Sequence, residues 1–194
     1  LKRGLAAMTR IAEILDTPGH SEDPETVSAA PGSPLLTGPI EFRRLSFGYD
    51  GRGRALNDVS FTVPEGATVV VVGPTGSGKS TLGALLSRLY EPPPGTVFVG
   101  GRDVRELPRE RLRRSIGYVP QEAFLFSRSI SDNVALGDEA APEARLRASA
   151  ETAGLGPEIE GFPGGWATVV GERGLTLSGG QRQRVALARS LVPE

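Results

Sequence analysis

Apolar and polar positions follow different periods in different parts of this chain. At the N-terminus, apolar residues recur every three or four positions over residues 1–16, which predicts an amphipathic helix. Residues 17–39 are rich in Pro, Gly, Ser and Thr and lack this periodicity, so we interpret them as an exposed linker. Apolar clustering resumes at residue 40, and we expect the folded domain to occupy residues 40–194.

Five apolar segments of the domain predict β-strands. Residues 40–47 and 59–63 alternate between apolar and polar positions, unevenly in the first, and a turn-rich stretch separates them, which predicts an antiparallel edge region. Residues 67–72 are instead a continuous apolar run rich in β-branched side chains, typical of a strand buried on both faces of a parallel sheet. The two other predicted strands are short, at residues 96–99 and 116–119.

Helical patterns occupy much of the rest of the domain. The predicted helices are at residues 82–90, 109–114, 129–136, 142–155 and 179–191. Pro193 stops the last of them, because proline lacks the N–H that a further helical turn needs. A buried strand followed by helices on this scale predicts an α/β fold.

A glycine-rich segment, GPTGSGKS at residues 73–80, directly follows the apolar run 67–72. It matches the phosphate-binding pattern G-x-x-x-x-G-K-[ST] in full and lies between a predicted strand and a predicted helix. Its glycines let backbone amides point at phosphate oxygens, Lys79 reaches the terminal phosphates, and the Ser80 hydroxyl is placed to coordinate Mg²⁺. The predicted ATP-binding residues of this segment are Gly73, Pro74, Thr75, Gly76, Ser77, Gly78, Lys79, Ser80 and Thr81.

Composition and charge exclude several other kinds of function. The formal net charge is −1 and the pI is about 6.0, so there is no overall electrostatic reason to bind nucleic acid. Without cysteine the chain can form neither a disulfide nor a thiolate metal site. No apolar run is long enough to span a membrane. The chain begins with leucine and shows no signal peptide, so we expect it to be an excised piece of a longer protein.

Arginine supplies nearly all of the positive charge, and Lys79 is one of only two lysines, with Lys2. Six arginines cluster between residues 102 and 114, but acidic residues interleave with them, so we interpret the cluster as a solvated helical face. We interpret His20, the one histidine, as an exposed linker residue.

A second motif, LSGGQ, stands at the start of the helix predicted at residues 179–191. Its serine is a natural N-cap, and the two glycines open the helix N-terminus to an anion, although a capped helix start alone would look the same. Together with the phosphate loop, LSGGQ resembles the signature motif of ABC transporter nucleotide-binding domains. From about residue 40 onward the chain resembles the exporter branch of that family. The resemblance implies that the ATP of a partner subunit contacts Leu177, Ser178, Gly179, Gly180 and Gln181.

The resemblance also implies roles for four further residues. Tyr49, in FGYDG, matches the aromatic residue that stacks on adenine in this family. Gln121, in YVPQE, matches the glutamine that contacts Mg²⁺ and the attacking water, so Gln121 and Lys79 are the predicted catalytic residues. Glu172 and Arg173, in GERG, match a segment that contacts the intracellular extensions of the transmembrane helices. Without the resemblance, each of these is an ordinary turn or edge residue.

The implied fold is a phosphate-loop NTPase core of the ABC ATPase type, with an antiparallel β edge subdomain and a helical signature subdomain. In the family, two such domains enclose two molecules of ATP and Mg²⁺, and their closure is passed to the transmembrane helices. We therefore expect two partners, a fused N-terminal transmembrane domain and a second nucleotide-binding domain, identical or different. Residues 1–16 would be the cytoplasmic tail of the last transmembrane helix, at the cytoplasmic face of the cell (inner) membrane.

The chain departs from the family after the signature helix. An apolar strand ending in Asp-Glu should follow, whereas Glu194 follows no such strand, and we do not assign it as the catalytic base. We expect the parent protein to be an ATP-hydrolysing translocase that exports a substrate. The piece alone should be inactive or weakly active and poorly stable, because the strand at 67–72 lacks a neighbour. Two alternatives stay open: a soluble, non-transport ABC ATPase, and a truncated module that binds nucleotide without hydrolysing it.

Overall fold

The computed structural model describes Met8, Ile11, Ala12, Leu15 and Asp16, together with residues 34–51, 53–171 and 177–193. The first four of these positions are helical, and the Asp16 N–H donates to the Ala12 carbonyl at 2.8 Å. The amphipathic pattern at the N-terminus therefore predicted the local structure of these positions correctly.

An antiparallel sheet of four strands forms the first half of the domain. The strands are β1 (Ile40–Gly48), β2 (Arg54–Val63), β3 (Val97–Val99) and β4 (Arg102–Asp103), in the order β2-β1-β3-β4. Phe42 lies opposite Phe61 of β2 and Val97 of β3, so β1 is flanked on both sides at this position. The predicted antiparallel edge region is confirmed, with β2 starting earlier than the alternation indicated.

Six α-helices lie within residues 53–171 and 177–193. They are α1 (Lys79–Leu86), α2 (Arg109–Arg114), α3 (Ile130–Ala135), α4 (Glu143–Thr152), α5 (Gly156–Glu160) and α6 (Gly179–Leu191). Single 3₁₀ turns occur at Val104–Glu106 and Gly165–Ala167. Capping boxes open α3 and α6: the Ser129 hydroxyl accepts from the Asp132 N–H, and the Ser178 hydroxyl accepts from the Gln181 N–H.

The strands predicted at residues 67–72 and 116–119 are wrong for the described structure. Neither segment is assigned as a strand, and the sheet formed by the described residues does not include them. Val70 and Val72 are 77% and 84% exposed, while Val69 and Val71 are each 46% exposed and turn toward α1 and the β1–β2 sheet. A segment with no neighbouring strand to hydrogen-bond with does not form a β-strand, even when many of its residues are β-branched.

Two hydrophobic cores hold the described residues together. The first joins the sheet to α1 and α2 and contains Phe42, Leu45, Leu85, Val97 and Leu112. The second joins α3, α4, α5 and α6 and is centred on residues such as Ile130, Leu155 and Val185. A mainly apolar cavity of about 340 Å³, lined by Leu89, Ile116, Tyr118, Phe124, Ala186 and Pro193 among others, adjoins elements of both.

The arginine cluster at residues 102–114 is not simply a solvated face. Arg109 is only 15% exposed and donates to the Glu91 carboxylate at 2.5 Å, and Arg113 donates to the Arg88 carbonyl at 2.9 Å. Arg88 itself is buried and also pairs with Glu91, at 2.8 Å. The cluster therefore fixes the segment after α1, and our interpretation of it as solvated is wrong for Arg109.

Candidate functional site

The phosphate-binding segment forms a tight loop that ends where α1 begins at Lys79. Gly76 and Gly78 have φ angles of 83° and 89°, values that L side chains rarely adopt. A Cβ on Gly78 would also lie 2.6 Å from the Ala55 carbonyl oxygen, so this glycine is needed for space as well as for conformation. The loop therefore depends on its glycines as the motif predicted.

Lys79 turns its ammonium group back over the loop that precedes it. Its Nζ donates to the carbonyl oxygens of Gly73 and Pro74, both at 2.8 Å, and lies 3.4 Å from the Ser77 hydroxyl. The loop around it is exposed to solvent. A cation is thus held at the mouth of the loop beside the N-terminal end of α1, where the helix dipole adds further positive potential.

The first turn of α1 carries two hydroxyl groups with different surroundings. Ser80 is exposed at the start of the helix, where a hydroxyl can coordinate a metal bound with phosphate. Thr81 is buried, and its hydroxyl lies 3.1 Å from the Tyr49 hydroxyl. The structure therefore brings Tyr49, predicted from a separate motif, onto the helix that follows the phosphate loop.

Three aromatic rings meet at the end of β1. The Tyr49 ring packs at nearly a right angle against Phe47 and Tyr90, with centroid distances of 5.1 and 4.9 Å. The cavity beside these rings, about 770 Å³, is also lined by Asp50 and Glu91. We did not predict Tyr90 or Phe47 as part of this region. Their sequence signal is weak, because Tyr90 looks like the last residue of an amphipathic helix.

The signature segment presents an open helix N-terminus. Gly179 and Gly180 are exposed, while Leu177 is 5% exposed and anchors the segment in the second core. The Gln181 side chain accepts from the Ser178 N–H at 2.9 Å, completing the cap, and Arg182 donates to the Leu177 carbonyl at 2.8 Å. The segment is therefore anchored by its cap and by the second core, with its glycines exposed to solvent.

Gln121 lies beside this helix rather than alone in a loop. Its side chain is exposed, and its carbonyl is 3.5 Å from the amide nitrogen of Gln183 on α6. Gln121 and Gln183 also line one cavity of about 720 Å³ with Gly179 and Arg182. Within this chain, Gln121 is thus adjacent to the signature helix.

A buried asparagine fastens the segment that follows Gln121. Asn133 is fully buried; its side chain accepts from the Phe126 N–H and donates to the Phe126 carbonyl, both at 2.9 Å. Arg189 of α6 donates to the Asn133 carbonyl at 2.8 Å and to the Phe124 carbonyl at 3.2 Å. Burial lowers the pKa of Arg189, which nonetheless stays charged at neutral pH. The sequence gives no signal for this network.

Glu91 is the principal charged group beside the aromatic rings. Burial acts to raise its pKa, but hydrogen bonds and charge attraction from Arg88 and Arg109 outweigh burial and leave the pKa below its ordinary value. Glu91 therefore stays ionised and holds the two guanidinium groups together.

Two predicted residues, Glu172 and Arg173, lie outside the described residues. In the described part of the chain, no group of three or more His, Cys, Asp and Glu side chains could hold a metal ion. Likewise, no helix built from described residues is long and apolar enough to cross a membrane.

Comparison with known proteins gives one consistent family. The ABC transporter family model matches residues 56–194. The chain is 43% identical over 191 residues to the uncharacterized ABC transporter ATP-binding protein YfiB of Bacillus subtilis, which covers 98% of this chain and 32% of that protein. It is 44% identical over 195 residues to the ATP-dependent lipid A-core flippase of Methylococcus capsulatus, covering 99% of this chain and 31% of that protein.

Two further comparisons agree with these. The beta-(1→2)glucan export ATP-binding/permease protein NdvA of Rhizobium etli is 48% identical over 159 residues, 82% of this chain and 27% of that protein. A solved bacterial Atm1-family ABC exporter with ATP bound superposes with a TM-score of 0.81 at 39% identity, covering all of this chain and 34% of that chain. The chain thus spans about a third of the length of most of these proteins, and the predicted ABC ATPase fold is confirmed.

Proposed function

Since the chain belongs to the ABC transporter family, we propose that it is the ATP-binding domain of an exporter, whose hydrolysis of ATP drives a substrate across the membrane. One observation carries the proposal: the Tyr49 hydroxyl lies 3.1 Å from Thr81 of α1, two residues beyond Lys79. The Tyr49 ring can stack on a base, and the Lys79 ammonium can bind phosphates. The first turn of α1 brings the two groups together, as the binding of a nucleotide requires.

The phosphate loop supports binding of the triphosphate. The Lys79 ammonium donates to the carbonyls of Gly73 and Pro74. Phosphate oxygens are stronger acceptors because they carry charge, so the ammonium would exchange these carbonyls for phosphate. Backbone amides of the loop and the N-terminal end of α1 supply the remaining positive potential.

Mg²⁺ fits the same place through an exposed oxygen donor, the Ser80 hydroxyl at the first turn of α1. When bound, Mg²⁺ neutralises charge on the phosphates during transfer. The exposed amide of Gln121 is a second neutral ligand of the right type, and it would orient the attacking water. We assign the catalytic roles in this chain to Lys79 and Gln121.

A second nucleotide-binding domain completes the site in this proposal. Gly179 and Gly180 are exposed at the N-terminus of α6, so their amides can bind the phosphates of an ATP held by a partner domain. With residues 17–39 as linker, residues 1–16 would continue from a transmembrane domain, with Glu172 and Arg173 touching its intracellular extensions. The domain would then work at the cytoplasmic face of the membrane. The relatives carry cargoes as different as a glucan and lipid A-core, so we propose no single substrate.

The test is ATP hydrolysis by the full-length protein in lipid nanodiscs. We expect Lys79→Ala to abolish hydrolysis and ATP binding, because it removes the cation of the phosphate loop. Ser178→Arg should abolish hydrolysis but keep ATP binding, because it changes the surface offered to the partner and the cap of α6 and leaves the phosphate loop intact. Lys2→Ala is the matched control and should bind and hydrolyse ATP as the unmodified protein does.

Export is tested in everted membrane vesicles given ATP outside. Compounds that leave the medium are identified by mass spectrometry, with Lys79→Ala vesicles as the control. Hydrolysis that survives Lys79→Ala contradicts the assignment of the nucleotide site, and hydrolysis with no compound taken up contradicts the export function.

A further inference from the structure

Tyr49 is held by three neighbouring residues. Phe47 and Tyr90 pack against its ring at 87° and 83°, with centroid distances of 5.1 and 4.9 Å. The third contact is a hydrogen bond of 3.1 Å between the hydroxyl groups of Thr81 and Tyr49. A half-buried tyrosine just beyond the end of a strand would otherwise choose among several rotamers. These contacts favour one orientation of its ring.

Of the three residues that contact Tyr49, Tyr90 contributes least to the stability of the fold. Phe47 packs against the first core and Thr81 is 6% exposed, whereas Tyr90 is 49% exposed and belongs to neither core. Its ring contacts the Tyr49 ring and, more distantly at 6.3 Å between centroids, the Phe47 ring. The ring thus stabilises Tyr49 more than it stabilises the domain.

The backbone that carries Tyr90 is fixed by charge. Arg88 is buried, donates to the Leu107 carbonyl at 2.8 Å and pairs with Glu91 at 2.8 Å. Arg109 pairs with the same Glu91 oxygen at 2.5 Å. Tyr90 therefore stands between two anchored residues, and its ring cannot drift away from Tyr49 without breaking this cluster.

We propose that Tyr90 is a positioning residue for the purine base of the bound nucleotide. It sets the plane of the Tyr49 ring on which the base stacks, and this inference rests on the nucleotide site proposed above. The ring of Tyr90 supplies the effect, because edge-to-face packing requires an aromatic group and not a hydroxyl. Tyr90 then acts on the part of the binding energy that comes from the base and not on the part that comes from the phosphates.

The experiment separates these two parts by comparing two ligands. The dissociation constants of ATP and of inorganic tripolyphosphate, each with Mg²⁺, are measured by titration calorimetry on the full-length protein. The variants are Tyr90→Leu and Tyr90→Phe, and the control is Phe126→Leu, which removes another aromatic ring of similar exposure, 46%, from the α3 side of the domain.

We expect Tyr90→Leu to weaken ATP binding about 2- to 10-fold, the range of one lost aromatic pair, with tripolyphosphate binding unchanged. Tyr90→Phe should restore ATP binding to the unmodified value, and Phe126→Leu should leave both ligands unaffected. Equal weakening of both ligands by Tyr90→Leu would overturn the proposal, since it would reveal a merely structural role. ATP binding that is unchanged in Tyr90→Leu would overturn it as well.

Failure of the nucleotide site itself gives a different pattern. In that case the unmodified protein binds neither ligand, or Lys79→Ala binds both ligands as tightly as the unmodified protein does. Either result also overturns the proposed role of Tyr90. If Tyr90→Leu does not fold, the same two dissociation constants are measured for Tyr90→Phe and Tyr90→Trp. Both variants retain an aromatic ring. We expect Tyr90→Trp, whose larger ring displaces Tyr49, to raise the dissociation constant of ATP and not that of tripolyphosphate.

Discussion

Replacing Asn133 by leucine should loosen the segment between Gln121 and α3. Leucine has the same branched shape as asparagine but no polar atoms. The Phe126 N–H and carbonyl would each lose a bond of 2.9 Å, and Arg189 would lose an acceptor at 3.2 Å. The Ser129 carbonyl loses less, because it keeps the Asn133 backbone N–H at 3.0 Å.

The size of the effect follows from these bonds. Three lost partners at about 1 kcal/mol each, the lower end of the cost for buried polar groups, sum to about 3 kcal/mol. The leucine side chain at this fully buried position returns about 1.5 kcal/mol, so about 1.5 kcal/mol of local stability is lost. If the segment opens locally, this corresponds to roughly 10-fold faster amide exchange.

The assay is hydrogen–deuterium exchange of peptides covering residues 124–134 in the full-length protein. Asn57→Leu is the matched control, because Asn57 is the other asparagine of the chain and is exposed on β2. We expect Asn57→Leu to leave exchange in these peptides unchanged. Exchange in Asn133→Leu at the rate of the unmodified protein would refute the view that the Asn133 network holds this segment.

Two further changes test the loop and the charged cluster. Because the pKa of Glu91 is lowered, its stabilising effect is present above its ordinary value of 4.5 and is lost as the pH falls through the folded-state pKa. Glu91→Gln should therefore lower the thermal midpoint of the full-length protein at pH 7, and the difference from the unmodified protein should shrink as the pH falls below 4.5; a difference independent of pH would contradict the ionised pairing. Gly78→Ala should cost about 1–3 kcal/mol of stability and weaken ATP binding at least tenfold, as measured by thermal unfolding and calorimetry. In the control Gly66→Ala, φ is 74° and nothing lies within 4 Å of the new Cβ, so ATP binding should not change; equal losses of binding in the two variants would argue against steric contact at Gly78.

Prediction from the sequence was most accurate where the identity of a single residue determines the local structure. The helix at residues 179–191 has the bounds of α6, because Ser178 caps its start and Pro193 follows its end. The phosphate loop was equally clear, since the positive φ angles at Gly76 and Gly78 leave little choice of residue. Local rules of this kind need no knowledge of the rest of the chain.

Prediction failed where structure depends on a distant partner. The valines of residues 67–72 have strong β propensity, yet a strand also needs a neighbour to hydrogen-bond with, and propensity does not supply one. The pairing of Glu91 with Arg109 spans 18 positions, and the bond between Arg189 and Asn133 spans 56. The interleaved charges near Arg109 looked like a solvated face, because sequence alone does not show which of them turns inward.

Protection of Lys79 by nucleotide shows directly whether ATP binds at the phosphate loop. The chain has only two lysines, so Lys2 is an internal reference in the same sample. The full-length protein is acetylated briefly with and without ATP and Mg²⁺, and labelling at each lysine is measured by peptide mass spectrometry. We predict that ATP suppresses labelling of Lys79, because the ammonium then binds phosphate, while labelling of Lys2 stays the same. Equal labelling of Lys79 with and without saturating ATP would contradict the account.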